Sequence, residues 1–237
     1  MKDQHDKEIL ARAVAEADQL SPARAAIVRA LVPLVGLEPL DAAYQEAVYP
    51  YDPPSQRRAL ALRQSSCGLT AEIGWRAAGV ADPRLMIAAG TRAVTGGTSY
   101  PLALEVDDAK RWGAWREPGP MALARPLPGD GVVVGCSSCR GVWSKGQGAF
   151  EHIFTVVATD YAVSSSSEIV HSIEGGQPGI HCRTRALVVC GPRGDELWAA
   201  ALDDDGAYRL DPADMRPTKG RRCLGWYDAD ALKLGAA

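Results

Sequence analysis

Cys67 follows Gln64-Ser65-Ser66 and opens an amphipathic segment in which Leu69, Ile73 and Ala77 fall on one side. This spacing predicts a helix with the sulfur in its first turn, where unpaired amides and the positive end of the helix dipole stabilise a thiolate. The same amides can hold an oxyanion, so nucleophile and transition-state stabiliser would come from one element. Taken alone, a cysteine at such a place is more often a small buried apolar side chain. His152 heads the run Ile153-Phe154-Thr155-Val156-Val157, which reads as a strand, and it shares a face with Phe154 and Val156. A histidine at a strand mouth can act as general base toward a thiol when a third group orients its ring. The chain has 4 histidines, and His5 falls in a terminus expected to fray, so few bases are available.

The third group follows from strand geometry. The segment Glu168 to Glu174 reads as the next strand and ends in Gly175-Gly176-Gln177. An antiparallel hairpin centred on residue 163 sets Glu174 directly across from His152, with Cβ atoms about 5 Å apart. His171 then points to the opposite face, away from this pair. Gln177 is a weaker alternative, as orienter or as an amide that meets substrate. Upstream, Pro128-Gly129-Asp130 forms a turn into the strand Gly131 to Gly135, with Asp130 bonding turn amides.

These residues need a scaffold, and the chain is long enough to supply one. It has 237 residues, 46% apolar and 23% charged, with a formal net charge of −3. Such usage describes a packed protein rather than a disordered one. The mild acidity gives no electrostatic footprint for nucleic acid or an anionic membrane, and no run approaches the ~20 apolar residues of a membrane span. The charged start, Met1 to Glu8, lacks the apolar segment of a signal peptide. The expectation is synthesis in the cytoplasm without a Sec signal, with free thiols.

Helical spacing covers residues 7–19, and Ser21-Pro22 is a helix start, with Ile27, Val28 and Leu31 as its apolar stripe. Asp41 is placed to cap a short helix through Val48, before the break at Tyr49 to Pro54. Asp82-Pro83 reads as another cap, and residues 90–128 as irregular structure with one helix near 105–113. From residue 131 the period changes to short β-rich runs: 132–134, 153–157, 168–173, 186–189, 196–202, 207–210 and 223–227. Asp203 to Gly206 is a hairpin signal. Helices followed by strands predict an α+β chain: an N-terminal helical extension over 1–58 and a catalytic domain over 59–237.

Cys136-Ser137-Ser138-Cys139 competes for attention. One Cys-x-x-Cys can supply two zinc ligands, with His181, Cys182, Cys190 or Cys223 completing a site, but no second pair stands at finger spacing. Inert thiols are the first reading, structural metal the second and a redox pair the third. Trp112, Trp115 and Trp143 read as core, with Trp143 the candidate for a cleft wall. Arg183 and Arg185 share one strand face, where solvation is the first reading and carboxylate recognition the second.

In order, Ser66-Cys67-Gly68-Leu69, Pro128-Gly129-Asp130-Gly131-Val132, Glu151 to Val157 and Ile173 to Gln177 resemble the motifs of the CHAP (cysteine, histidine-dependent amidohydrolase/peptidase) family and its NlpC-like relatives. The resemblance covers roughly residues 60–190. It implies a papain-like fold, with the helices packed on a mostly antiparallel sheet of about five to seven strands. It implies a nucleophilic Cys67, a base His152 and an orienting Glu174, with Ser66, Gln177 and Trp143 near substrate and neither metal nor cofactor. Many relatives cleave amide bonds in bacterial cell-wall peptides, so the implied substrate is a peptide or peptidoglycan peptide. A cell-wall substrate without a Sec signal implies export by a specialised system, with a secretion or immunity partner. Acyl transfer or deamidation on a cytoplasmic protein is the alternative within the same chemistry. A zinc-clipped binding module is the alternative outside it.

Overall fold

In the computed structural model the described residues are 2–63, 66–80, 109–110, 113–118, 125–135, 152–160, 167–176, 179–191 and 194–232. The described residues of the first third are mostly helical, as their spacing predicts. Helix α1 spans Lys2–Glu16 and runs into a 3-10 turn at Ala17–Gln19. Helix α2, Pro22–Leu31, starts where proline suits the first position, and the Ser21 hydroxyl accepts the Arg24 amide at 3.4 Å. Helix α3 is Ala42–Val48; Asp41 makes no cap bond within it and accepts the Glu38 amide instead. Helix α4, Pro54–Arg63, goes beyond the expected break, and α5 is Cys67–Ala77. The expected cap at Asp82-Pro83 lies outside the described residues.

Among the described residues seven strands follow: β1 Trp115–Arg116, β2 Gly131–Val134, β3 His152–Asp160, β4 Ser167–Gly175, β5 Ile180–Cys190, β6 Glu196–Ala201 and β7 Gly220–Tyr227. The expected strand at 207–210 reduces to a single bridge between Leu210 and Pro217. The class is α+β, but the open papain-like sheet is corrected by the pairing. β7 bonds both β2 and β6, so β2 to β7 close in sequence order into a six-stranded antiparallel barrel, with β1 added along β7. Strand twist and bulges drive the closure. Register shifts between Val156 and Ala158 and between Val133 and Val134 bend the sheet, and joining its edges removes unpaired backbone.

Alternation sorts the strand residues into layers. Val132, Phe154, Val156, Leu187, Leu197 and Trp226 fill the barrel interior. Ile153, Ile173 and Tyr227 face outward into a core shared with Ala17, Ile27, Leu31, Trp75 and other helical residues, so one apolar core includes residues from both sides of position 58. A third layer, with Ala186, Val188 and Trp198, is covered by Tyr208 and Leu210 from the β6–β7 connection. Among the described residues no helix is long and apolar enough to cross a membrane.

A buried ion cluster ties the helices to the barrel. The Arg24 guanidinium, 5% exposed, reaches Asp130 at 2.8 Å, Asp228 at 2.9 Å, Asp230 at 2.6 Å and the Pro128 carbonyl at 2.9 Å. Asp130 also accepts the Leu127 and Ala229 amides, so the turn before β2 carries more than its own amides. Burial pushes the Asp130 carboxyl up to about 6, while Arg24 and the two amides hold it down, and it remains ionised at neutral pH. Arg24→Ala strands Asp130 without a countercharge and should cost about 3–5 kcal/mol in denaturant unfolding. Breaking the exposed Arg29–Asp18 pair should cost under about 1 kcal/mol; equal losses for the two variants would refute this reading of the cluster.

Candidate active site

Cys67 is the first residue of α5, half-buried and in no disulfide. Ser66 precedes it without capping the helix, which leaves the first-turn amides at the sulfur's own end. Helix α5 lies against β3 and β4. They come close at Gly175, where a Cβ would overlap the Thr70 hydroxyl and stand 2.6 Å from the Ser66 carbonyl oxygen. Only glycine lets the start of α5 sit this near the end of β4.

His152 is the first residue of β3 and pairs with Val134 of β2. Its ring hydrogen-bonds the Cys67 sulfur, and its Nε2 lies 2.5 Å from Oε2 of Glu174. With Nε2 committed to the carboxylate, Nδ1 is left for the sulfur. The β3–β4 register differs from the expected one by two residues: Thr155 opposes Ile173 and Val156 opposes Ser172. A shift of two preserves the face, so His152 and Glu174 meet as diagonal rather than direct neighbours. His171 points away, as expected, to Asp160 at 2.8 Å and Thr184 at 3.0 Å.

Glu174 is 5% exposed and held by cations. Arg185 Nη2 donates to both carboxylate oxygens, at 2.8 and 2.7 Å, and Arg183 Nε pairs with Oε1. Arg185 is itself held by Ser172 Oγ at 2.6 Å and lies 4.6 Å above the Phe154 ring. Solvation is thus corrected for Arg185, 16% exposed, which recognises a carboxylate of the protein's own; Arg183, 55% exposed, stays solvated while it pairs with the same acid. Burial opposes ionisation of Glu174, but His152 and Arg185 outweigh it and bring the acid down to about 2. Burial likewise opposes the His152 charge, and the Cys67 sulfur and Glu174 outweigh it, raising the imidazole to about 9. The ring therefore stays protonated at neutral pH.

Other expected site residues fall differently. Ser66 is fully buried at the Gly175 contact, out of a substrate's reach. Gln177, Trp143, Cys136 and Cys139 lie outside the described residues. Cys182, Cys190 and Cys223 are buried and in no disulfide, and among the described residues no three His, Cys, Asp or Glu side chains gather to hold a metal. The sequence reading passed over Gly175. Its signal was the Gly-Gly pair at a strand end, where a close backbone approach is a standard cause. No family model, curated protein or solved structure matches the chain.

Chemically, the arrangement can store a thiolate–imidazolium pair at a helix N-terminus with its ring orientation fixed from inside the barrel. Because folding raises the imidazole, this pair stabilises the fold fully below the ordinary histidine value near 6.5, and that contribution is lost as pH rises through about 9. By NMR, His152 should titrate near pH 9, and Glu174→Gln should move the midpoint down toward 6.5. A midpoint unmoved by that substitution would show that the carboxylate does not hold the ring. Gly175→Ala should destabilise by about 1–3 kcal/mol and slow alkylation of Cys67 by iodoacetamide at least tenfold. Full reactivity in that variant would remove the glycine from the argument.

Proposed function

We propose that the chain is a cysteine hydrolase that cleaves an amide bond in a peptide, the substrate class that includes the peptide stems of peptidoglycan. The relay of three groups carries this reading: a half-buried sulfur at a helix start, an imidazole bonded to it, and a buried carboxylate on the far ring nitrogen. An imidazolium beside the sulfur favours its thiolate form. Cys67 is the nucleophile, His152 the general acid and base, and Glu174 the group that orients the ring.

The thiolate attacks the amide carbon, and the carbonyl electrons move onto oxygen, where the first-turn amides of α5, that of Cys67 first, receive the charge. As the tetrahedral adduct collapses, the C–N bond breaks and His152 passes its proton to the departing amine, leaving an acyl-thioester. Water then adds to the thioester while His152 takes a proton from it, and expulsion of the thiolate frees the acid. The order of the motifs supports grouping this chemistry with the CHAP and NlpC-like amidohydrolases, carried here on a closed barrel.

Reactivity separates this reading from inert thiols. Iodoacetamide should label Cys67 first, because Cys190 and Cys223 are buried with thiols pushed up to about 12. Cys67→Ala should abolish release of peptide fragments from purified peptidoglycan, read by mass spectrometry, and leave the chain folded. Uniform labelling of the free cysteines would defeat the proposal.

A further inference from the structure

We propose that Arg185 is a positioning residue for the hydrolase: it fixes the proton shared by His152 and Glu174 on the ring nitrogen, and so keeps the imidazolium that the Cys67 thiolate needs. This rests on the cysteine-hydrolase reading and says how that site is held in its reactive charge state. Register places the arginine for the task. On the lumen face of β4, Val170, Ser172 and Glu174 follow one another, and on β5 they meet Arg185, Arg183 and His181 in turn. Arg185 starts opposite Val170, well short of the acid, and its length carries it along the strand to Glu174. The guanidinium passes Ser172 Oγ at 2.6 Å, lies 4.6 Å from the centre of the Phe154 ring and ends on both Glu174 oxygens, at 2.8 and 2.7 Å. At 16% exposure it has little water around it to screen its charge. Arg183 pairs with the same carboxylate from a position 55% exposed, where water weakens its effect.

The shared proton has two places to be, because His152 Nε2 and Glu174 Oε2 are 2.5 Å apart. On nitrogen, the pair is an imidazolium and a carboxylate, and the ring's charge reaches the sulfur through Nδ1. On oxygen, the pair is neutral: Glu174 donates to an unprotonated Nε2, and the Nδ1–H that remains belongs to an uncharged ring. The change moves one proton along one hydrogen bond and leaves the total charge as it was. Burial favours the neutral arrangement, since both side chains are largely withdrawn from water. A cation fixed on the carboxylate favours the ion pair, and a low-dielectric lumen strengthens that bias. A guanidinium keeps its charge at any working pH, so the bias persists while ring and sulfur exchange protons with a substrate. The acid held down to about 2 and the imidazole raised to about 9 agree with a proton on nitrogen. Among the described residues His181, Lys219 and Arg221 also line the cavity that Glu174 faces, and they are the same in wild type and in the variants below.

NMR with the ring nitrogens isotope-labelled reads which of them carry protons. At neutral pH both nitrogens of His152 should be protonated in the wild-type protein. In Arg185→Gln the Nε2 signal should move to the unprotonated position while Nδ1 keeps its proton. Iodoacetamide should then label Cys67 at least about tenfold more slowly, because the thiolate has lost its countercharge. Arg185→Lys keeps a cation beside the acid and should restore the Nε2 proton, which a mere loss of packing would not predict. An Nε2 that stays protonated in folded Arg185→Gln, or that lysine does not restore, overturns the proposal and leaves the hydrolase reading standing. If Arg185→Gln does not fold, Ser172→Ala decides instead. Without its 2.6 Å tether the arginine holds the acid less closely, and the Nε2 signal should shift toward the unprotonated position; an unmoved signal overturns the proposal. A wild-type protein whose Cys67 iodoacetamide does not label would sink the hydrolase reading, and this proposal with it.

Discussion

A carboxylate inside a six-stranded barrel loses its water, at a cost of several kcal/mol, and stays ionised only if cations replace that water. Glu174 has three such partners, His152, Arg183 and Arg185, and the rest of the site depends on their being met at once. Arg185 must be fixed before it can serve, which Phe154 and Ser172 accomplish. The carboxylate, so fixed, decides which ring nitrogen of His152 it takes and which is left for sulfur. The ring's orientation is therefore set from within the barrel, and the sulfur is supplied from outside it. Removing the negative charge would leave Arg185 as the uncompensated ion, so the network works as a unit rather than as a sum of pairs.

Bringing the sulfur to the ring is a packing problem with two constraints. At the near end, Gly175 sets the separation between β4 and the first turn of α5, since any side chain there would press on Thr70 and Ser66. At the far side, α2 packs on α5, and the Arg24 cluster holds α2 to the turn before β2 and to the chain after β7. Helix α5 is thus clamped between a strand it touches backbone to backbone and a helix moored by charge. A reactive pair needs its partners held within roughly half an ångström, and rigid elements locked by packing can do that where loops cannot.

The histidine and its acid were legible in the sequence because side-chain alternation has period two. A hairpin misjudged by two residues still leaves His152 and Glu174 on one face; a slip of one would have parted them. Cys67 was legible from local signals, a break followed by an amphipathic stripe. What escaped were features made by distant residues. Arg24 gives no local hint that it answers Asp130 across more than a hundred residues. Arg185 looks solvated until β5 is known to lie beside Glu174. Closure was hidden for the same reason: the seam joins β7 to β2 across the whole strand region, and its β6 side is separated by an irregular connection. Position 207 to 210 misled because Ala-Tyr-Arg-Leu has strand chemistry but serves as a cover, with Tyr208 and Leu210 turned onto the third core layer.

Closure and the charged triad require each other. On an open sheet the face bearing Glu174 would meet water, the acid would need no arginine ladder, and the imidazole would titrate near its ordinary value. Joining β6 to β7 brings Ala199, Ala201 and Arg221 into a common lumen with His152 and Glu174. The lumen lowers the local dielectric, so each ion pair is stronger and each unpaired ion costlier. Small residues at positions 199 and 201 then matter as much as the charged ones. Larger side chains would fill the mouth as Leu197 fills the interior below it, and the barrel would become a solid core that still orients the histidine but leaves no cavity beside it.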